Sequence, residues 1–139
     1  MIELDDEVKA RLAGAIDSGN VLTAAYVDGD GKPHISFYGS THVHGPDSLA
    51  LWVRSPNSEL LKTLPERPHI AFIYGDVANR VYYTFEGRGR VAEDVRQRVY
   101  DEMHPIERQF DPEAGGVPVV VELDRFTQLS IAGKVVQER

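Results

Sequence analysis

A chain of 139 residues, 42% apolar and 27% charged, is long enough to bury a core and is expected to form one domain over 1–139. Its 15 Lys and Arg against 22 Asp and Glu leave a net charge of −7, which disfavours general binding to nucleic acid or to an anionic membrane. Cysteine is absent, so disulfides, thiolate catalysis and Cys-ligated zinc are excluded.

The first residues, MIELDDEVKARL, are charged and lack an apolar h-region, so no signal peptide is expected. No apolar run approaches the ~18 residues of a membrane span, and a cytoplasmic location is the expectation. Leu4, Val8, Leu12 and Ile16 recur at helical spacing behind Asp5 and Asp6, which predicts an amphipathic helix closed by Ser18-Gly19-Asn20. VLTAAYV (21–27) reads as a strand, and DGDGKP (28–33) as a hairpin turn. Residues 34–44 alternate as one strand. Ile35, Phe37, Gly39, Thr41 and Val43 share the face expected to be buried, and His34, Ser36, Tyr38, Ser40, His42 and His44 share the other. That second face is polar without Lys or Glu. A lined groove and a wetted sheet face both fit it.

SLALWVR (48–54) returns as a strand, and NSELLKTLPE follows as a short helix closed by Pro65 and Pro68. HIAFIYG (69–75) reads as a central strand. RVYYTFEGRGRVAE (80–93) reads as a long one, with Gly87 and Gly89 marking a bend or bulge. Val95, Val99, Met103 and Ile106 predict a helix over 94–110, kinked or broken at Pro105. VPVVVEL (117–123) and FTQLSIAG (126–133) complete six or seven strands. Short hairpins make the sheet antiparallel, and so many twisted strands in a short chain close most easily into a small barrel.

The junction WVRSPNSELLKTL (52–64) runs a strand through a polar turn into a helix, where free backbone N–H groups suit a phosphate. Ser58 and Glu59 suit helix capping equally well. His42 and His44 could both serve as metal ligands on one strand face. No third ligand is evident, and no metal is assigned.

The order VLTAAYVDGDGKPHIS, LALWVRSPNSELLKTLPERPHIAFIY and NRVYYTFEGRGRV resembles the pyridoxamine 5′-phosphate oxidase-like family over roughly residues 8–100. The resemblance implies a mainly β fold with flanking helices, a six- to seven-stranded antiparallel split β-barrel. It also implies a homodimer with flavin in grooves between the subunits, acting on a small organic substrate. Carried over by position, Ser36, Tyr38 and Ser40 would line the flavin, Arg54, Ser55 and Ser58 would lie near its phosphate, and Arg80 would reach the ring or ribityl chain. The implied cofactor is FMN or a deazaflavin, and no catalytic side chain is assigned.

The sequence departs from that pattern at three places. Glu59 and Leu60 stand where the family usually carries a basic pair, and Ser36 and Thr41 stand where Arg or Lys often faces the phosphate. The C-terminal IAGKVVQER lacks the Arg-x-His-x-Arg region of the true oxidases, so oxidation of pyridoxine phosphate is excluded. Arg54 is the local candidate to replace the missing cation, and Lys62, Arg88 and Arg90 are further candidates. A second expectation follows from the same departures. The chain could be a cofactor-free dimeric binding protein that kept the barrel and holds another planar ligand, such as heme, through a groove histidine.

Overall fold

The computed structural model describes residues 1–139. Helix α1 (Asp6–Ala13) starts at Asp5, whose carboxylate accepts the Val8 N–H at 3.0 Å, and it buries Val8 and Leu12. Gly14 divides the single helix expected there, and a short α2 (Ala15–Ser18) follows. It ends at Gly19, whose φ of 79° is a left-handed cap that glycine adopts without penalty.

Strands β1 (Thr23–Val27) and β2 (Pro33–Phe37) form the predicted hairpin. Asp28 organises its turn. One carboxylate oxygen accepts the N–H groups of Asp30 at 2.8 Å and Lys32 at 3.0 Å, and the other meets His34 Nε2 at 2.7 Å. The His34 bond, then the Lys32 N–H, hold the Asp28 carboxyl down at about 2. The folded value lies below the ordinary one of about 3.9, so the stabilisation is complete above that pH and is lost as pH falls through the folded value. The protection of the Asp30 and Lys32 amides, taken relative to their intrinsic exchange rates, is therefore expected to fall on acidification from about pH 4 towards pH 2. Asp28→Asn should abolish that step, and an unchanged acid profile in this variant would refute the assignment.

The strand expected over 34–44 is two strands. β2 stops at Phe37, and β3 (His42–Gly45) begins after a tight crossover in which Thr41 Oγ1 donates to the Tyr38 carbonyl at 2.8 Å. Ile35 and Phe37 are each 74% exposed, so over β2 the face expected to be buried is not, whereas Thr41 is buried and Val43 packs against the core. Alternation distinguishes the two faces of a strand but does not say which of them a core covers. Here β2 is an edge strand, and its Ile35–Phe37 face lies on the outside of the sheet.

β4 (Ser48–Val53) is buried along its whole length, and α3 (Glu59–Thr63) follows. β5 (His69–Asp76) and β6 (Val81–Val91) then pair over eight register positions. A 3₁₀ turn leads to α4 (Arg96–Glu102). The helix expected through residue 110 breaks at Met103 and restarts as α5 (Pro105–Gln109), with Pro105 in its first turn. The two closing strands predicted separately are one, β7 (Val117–Ser130), and the C-terminal GKVVQE adds β8 (Gly133–Glu138). The antiparallel sheet therefore has eight strands, ordered β2-β1-β5-β6-β7-β4-β3, with β8 on the far part of β7. β2 and β3 are its two ends. The crossover 38–41 joins them without a ladder between them, so the barrel is split at this seam.

The bulge foreseen at the glycines is present. Glu86 faces Arg125 while Gly87 faces Leu123, which leaves Asp124 as the extra residue of β7. Inside the sheet, Phe72, Tyr74, Tyr83, Phe85 and Phe126 fill the core, with the Phe85 and Phe126 rings stacked at 4.9 Å. A second, smaller core of Ala50, Trp52, Val99, Met103 and Val120 lies beneath α4.

The outer face of the sheet carries exposed apolar residues towards β2, with the charged Glu86 and Arg125 beyond them on β6 and β7. The register aligns Phe37, Thr23, Ile73, Thr84, Thr127 and Val136 in one row across six strands, with Ile35 and Ala25 in the next. Ile35, Phe37, Ile73 and Val136 are all exposed there. No helix is long and apolar enough to cross a membrane.

Candidate functional site

At the seam, the crossover stands opposite the end of β4. The chain leaves the sheet at Arg54 and turns through Ser55-Pro56-Asn57 into α3. A groove of about 610 Å³ occupies this seam. Ser36, Tyr38 and Ser40 line one side, and Arg54, Ser55 and Ser58 line the other, so six of the seven residues selected from the sequence share one groove. Arg80 stands apart. It closes the β5–β6 turn with a φ of 55°, its N–H donating to the Val77 carbonyl at 3.2 Å, and β1 and β5 lie between β6 and β2.

The six residues do different work. Ser40 is buried, and its hydroxyl donates to the Trp52 carbonyl at 3.0 Å while accepting the Trp52 N–H at 2.8 Å. It stitches the crossover to β4 where no ladder exists, and no free hydrogen is left for a ligand. Ser58 caps α3 by accepting the Leu61 N–H at 3.3 Å, so the capping reading of that turn holds for this side chain. Tyr38 packs its ring against the core, and burial raises its phenol above the ordinary range, which keeps it protonated as a donor. The exposed side chains of Ser36, Arg54 and Ser55 remain open to a ligand.

Arg54 reaches across the groove, its guanidinium carbon 4.9 Å from the centre of the Phe110 ring. It is the one Lys or Arg lining the groove. Lys62 does not line it. Arg88 is paired with Asp124 at 3.0 Å and Arg90 with Asp94 at 3.1 Å, so neither is free to serve there. Glu59, the anion that weighed against a phosphate, does not line the groove either. It contributes, after burial and Tyr38, to raising the Tyr26 phenol, which places it towards β1.

The third wall was not foreseen. Ile106, Glu107 and Phe110 of α5 and its cap close the groove from above. Glu107 comes so near Gly39 that a Cβ there would lie 3.0 Å from its carboxylate oxygen. The signal was His104-Pro105. His104 Nδ1 accepts the Ile106 N–H at 3.1 Å, and its Nε2 meets Asp17 at 2.9 Å, so the helix restarts over the seam. Asp111 then fixes the end of α5 to β4, accepting Trp52 Nε1–H at 2.8 Å and the N–H groups of Gly115 at 2.9 Å and Gly116 at 2.8 Å. Of the histidines on the predicted polar face, none lines this groove. His34 stacks on Tyr26 at 4.8 Å, and His42 and His44 line a neighbouring cleft.

No family model matches the chain, and no curated protein does. Solved structures do match. A pyridoxamine 5′-phosphate oxidase-related, FMN-binding protein of Nostoc punctiforme superposes with a TM-score of 0.71 at 13% identity, covering 96% of this chain and 90% of that one. A protein related to general stress protein 26, of the pyridoxinephosphate oxidase family, from Clostridium acetobutylicum gives 0.70 at 8% identity, covering 97% and 96%. A heme-binding protein of Mycobacterium smegmatis gives 0.65 at 16% identity, covering 99% of this chain and 60% of that one. At these identities the likeness is one of fold. The chain has the fold of the pyridoxamine 5′-phosphate oxidase-related proteins.

Proposed function

We propose that this chain is a flavin-binding oxidoreductase of the pyridoxamine 5′-phosphate oxidase-like family, cytoplasmic, with all 139 residues in one split-barrel domain. It would take FMN or a deazaflavin in the seam groove and act on a small organic substrate, not on pyridoxine phosphate. The observation that carries this reading is the convergence of Ser36, Tyr38, Arg54 and Ser55 on one groove beside the split of the barrel. The donors fit an anionic, hydroxyl-bearing ligand, and the groove has the size of an ordinary ligand pocket. A flavin, when bound, supplies the hydride or single-electron chemistry. This chain's own groups would bind and orient it: Arg54 takes the anionic end, and Tyr38, Ser36 and Ser55 take hydroxyls and carbonyls.

The homodimer belongs to the same proposal. An outer face presenting Phe37, Ile73 and Val136 in one row, with Ile35 in the next, is the kind of apolar patch that a partner covers. Phe37 lines the seam groove and also belongs to that face, so a second copy docked there would help close the groove.

Titrating the purified chain with FMN, and separately with a deazaflavin, tests the proposal. Saturable binding with a shift of the flavin's visible absorbance is expected. Arg54→Ala should weaken it at least ~10-fold, since a charge-assisted bond contributes about 1.5–3 kcal/mol. Glu59→Lys, whose side chain starts outside the groove, is expected to leave affinity within about threefold. A chain that binds neither flavin would instead favour the cofactor-free binding protein. Added heme, read by its Soret band, then tests the planar-ligand form of that alternative.

A further inference from the structure

A second cleft, of about 610 Å³, lies between α1, β3 and the α4–α5 junction, with Lys9, Leu12, His42, His44, Glu102 and Met103 among its lining. His42 is 8% exposed and held firmly. Its Nδ1 lies 2.8 Å from the Ser40 carbonyl. A carbonyl only accepts, so Nδ1 carries the hydrogen and Nε2 is left as a bare lone pair. That Nε2 is buried without a hydrogen-bond partner, and so is Nδ1 of His44. The two residues are two apart on β3; His44 sits where the β3–β4 register shifts, and both residues line the cleft. Arg98 braces the wall, donating to the His44 carbonyl and pairing with Glu102 at 3.1 Å.

Buried polar nitrogens are ordinarily satisfied, and two orphaned ones among the lining of one cleft invite a partner there. We propose that His42 Nε2 and His44 Nδ1 form a two-imidazole site for a divalent transition-metal ion of the Ni²⁺, Cu²⁺ or Zn²⁺ kind. Imidazole lone pairs suit these ions. A carbonyl holding the other ring nitrogen, as Ser40 holds His42, is the usual outer support of a histidine ligand. No group of three His, Cys, Asp or Glu completes a closed shell. With two protein ligands rather than four, the ion would be held more weakly than a structural zinc. The site does not rest on flavin binding, since the histidines lie outside the seam groove.

The test is calorimetric titration of chelator-treated, untagged protein with NiSO₄ and with ZnCl₂ near neutral pH. One saturable site per chain is expected. His44→Ala, at a half-buried position, should weaken it ~10-fold or more. His69→Ala, exposed on β5, should leave it unchanged. Because His42 is buried, its part is read without mutation: zinc should move the ring ¹⁵N resonance of His42 Nε2 in the unaltered protein. Absence of saturable binding, binding indifferent to His44→Ala, or a His42 ring resonance unmoved at saturating zinc would each overturn the proposal.

Discussion

On the proposed homodimer, a Phe37→Asp variant is expected to sediment as a monomer at concentrations where the unaltered chain is expected to sediment as a dimer. Phe37 is 74% exposed in the single chain, and the register sets it in one row with Ile73 and Val136. Covering a phenylalanine contributes about 1.5–3 kcal/mol, and a two-fold interface counts the loss twice. The introduced carboxylate adds the penalty of burying a charge without a partner. Flavin affinity should fall together with the dimer, because Phe37 also lines the groove. Glu113→Ala, exposed in the loop before β7, is the control and should stay dimeric. Analytical ultracentrifugation decides the matter, and a Phe37→Asp chain that remains dimeric would remove this face from consideration.

Gly87→Ala is expected to destabilise the fold by on the order of 3 kcal/mol, the upper range for overpacking. A Cβ at Gly87 would lie 2.2 Å from the Glu122 carbonyl oxygen and 3.0 Å from its carbon. Both are backbone atoms of β7, so relief requires parting β6 from β7 at the bulge. Gly89→Ala is the comparison. Its Cβ would meet Leu64 Cδ2 at 3.2 Å, a side-chain methyl that can turn aside, and a loss of no more than about 1 kcal/mol is expected. Urea unfolding of the two variants measures the difference, and equal midpoints would show that the bulge is not the constraint described.

Much of the fold is legible in the sequence because it is local. The Asp28 turn, the cap at Ser58, the breaks at Pro105 and the bulge at Gly87 each announce themselves by residue type. What was missed is relational. The 34–44 segment keeps a period of two on both sides of its crossover, so nothing in the pattern marks the turn at 38–41. The exposure of Ile35 and Phe37 depends on β2 being an edge, which only the strand order reveals. The candidate site divides in the same way. Six groove residues were legible from position in a resembling pattern, yet the commitment of Ser40 and Ser58 to the backbone was not. The bare nitrogens of His42 and His44 were invisible too, because burial of one ring atom is a property of packing.

The carboxylate of Asp111 has a consequence for the groove beyond its own bonds. Burial raises its pKa, but the Trp52 indole and two glycine N–H groups outweigh that and hold it below the ordinary range. Gly116 is packed so closely that a Cβ would sit 2.4 Å from Trp52 Nε1. The wall bearing Phe110, and with it the perch of Arg54, is therefore preorganised before any ligand arrives. The opposite lip, Ser55–Asn57, is exposed and carries no such anchor. Ordering entropy on capture should fall mainly on that lip. Affinity for ligands of different length would then be tuned by the composition of three turn residues rather than by the helix that roofs the site.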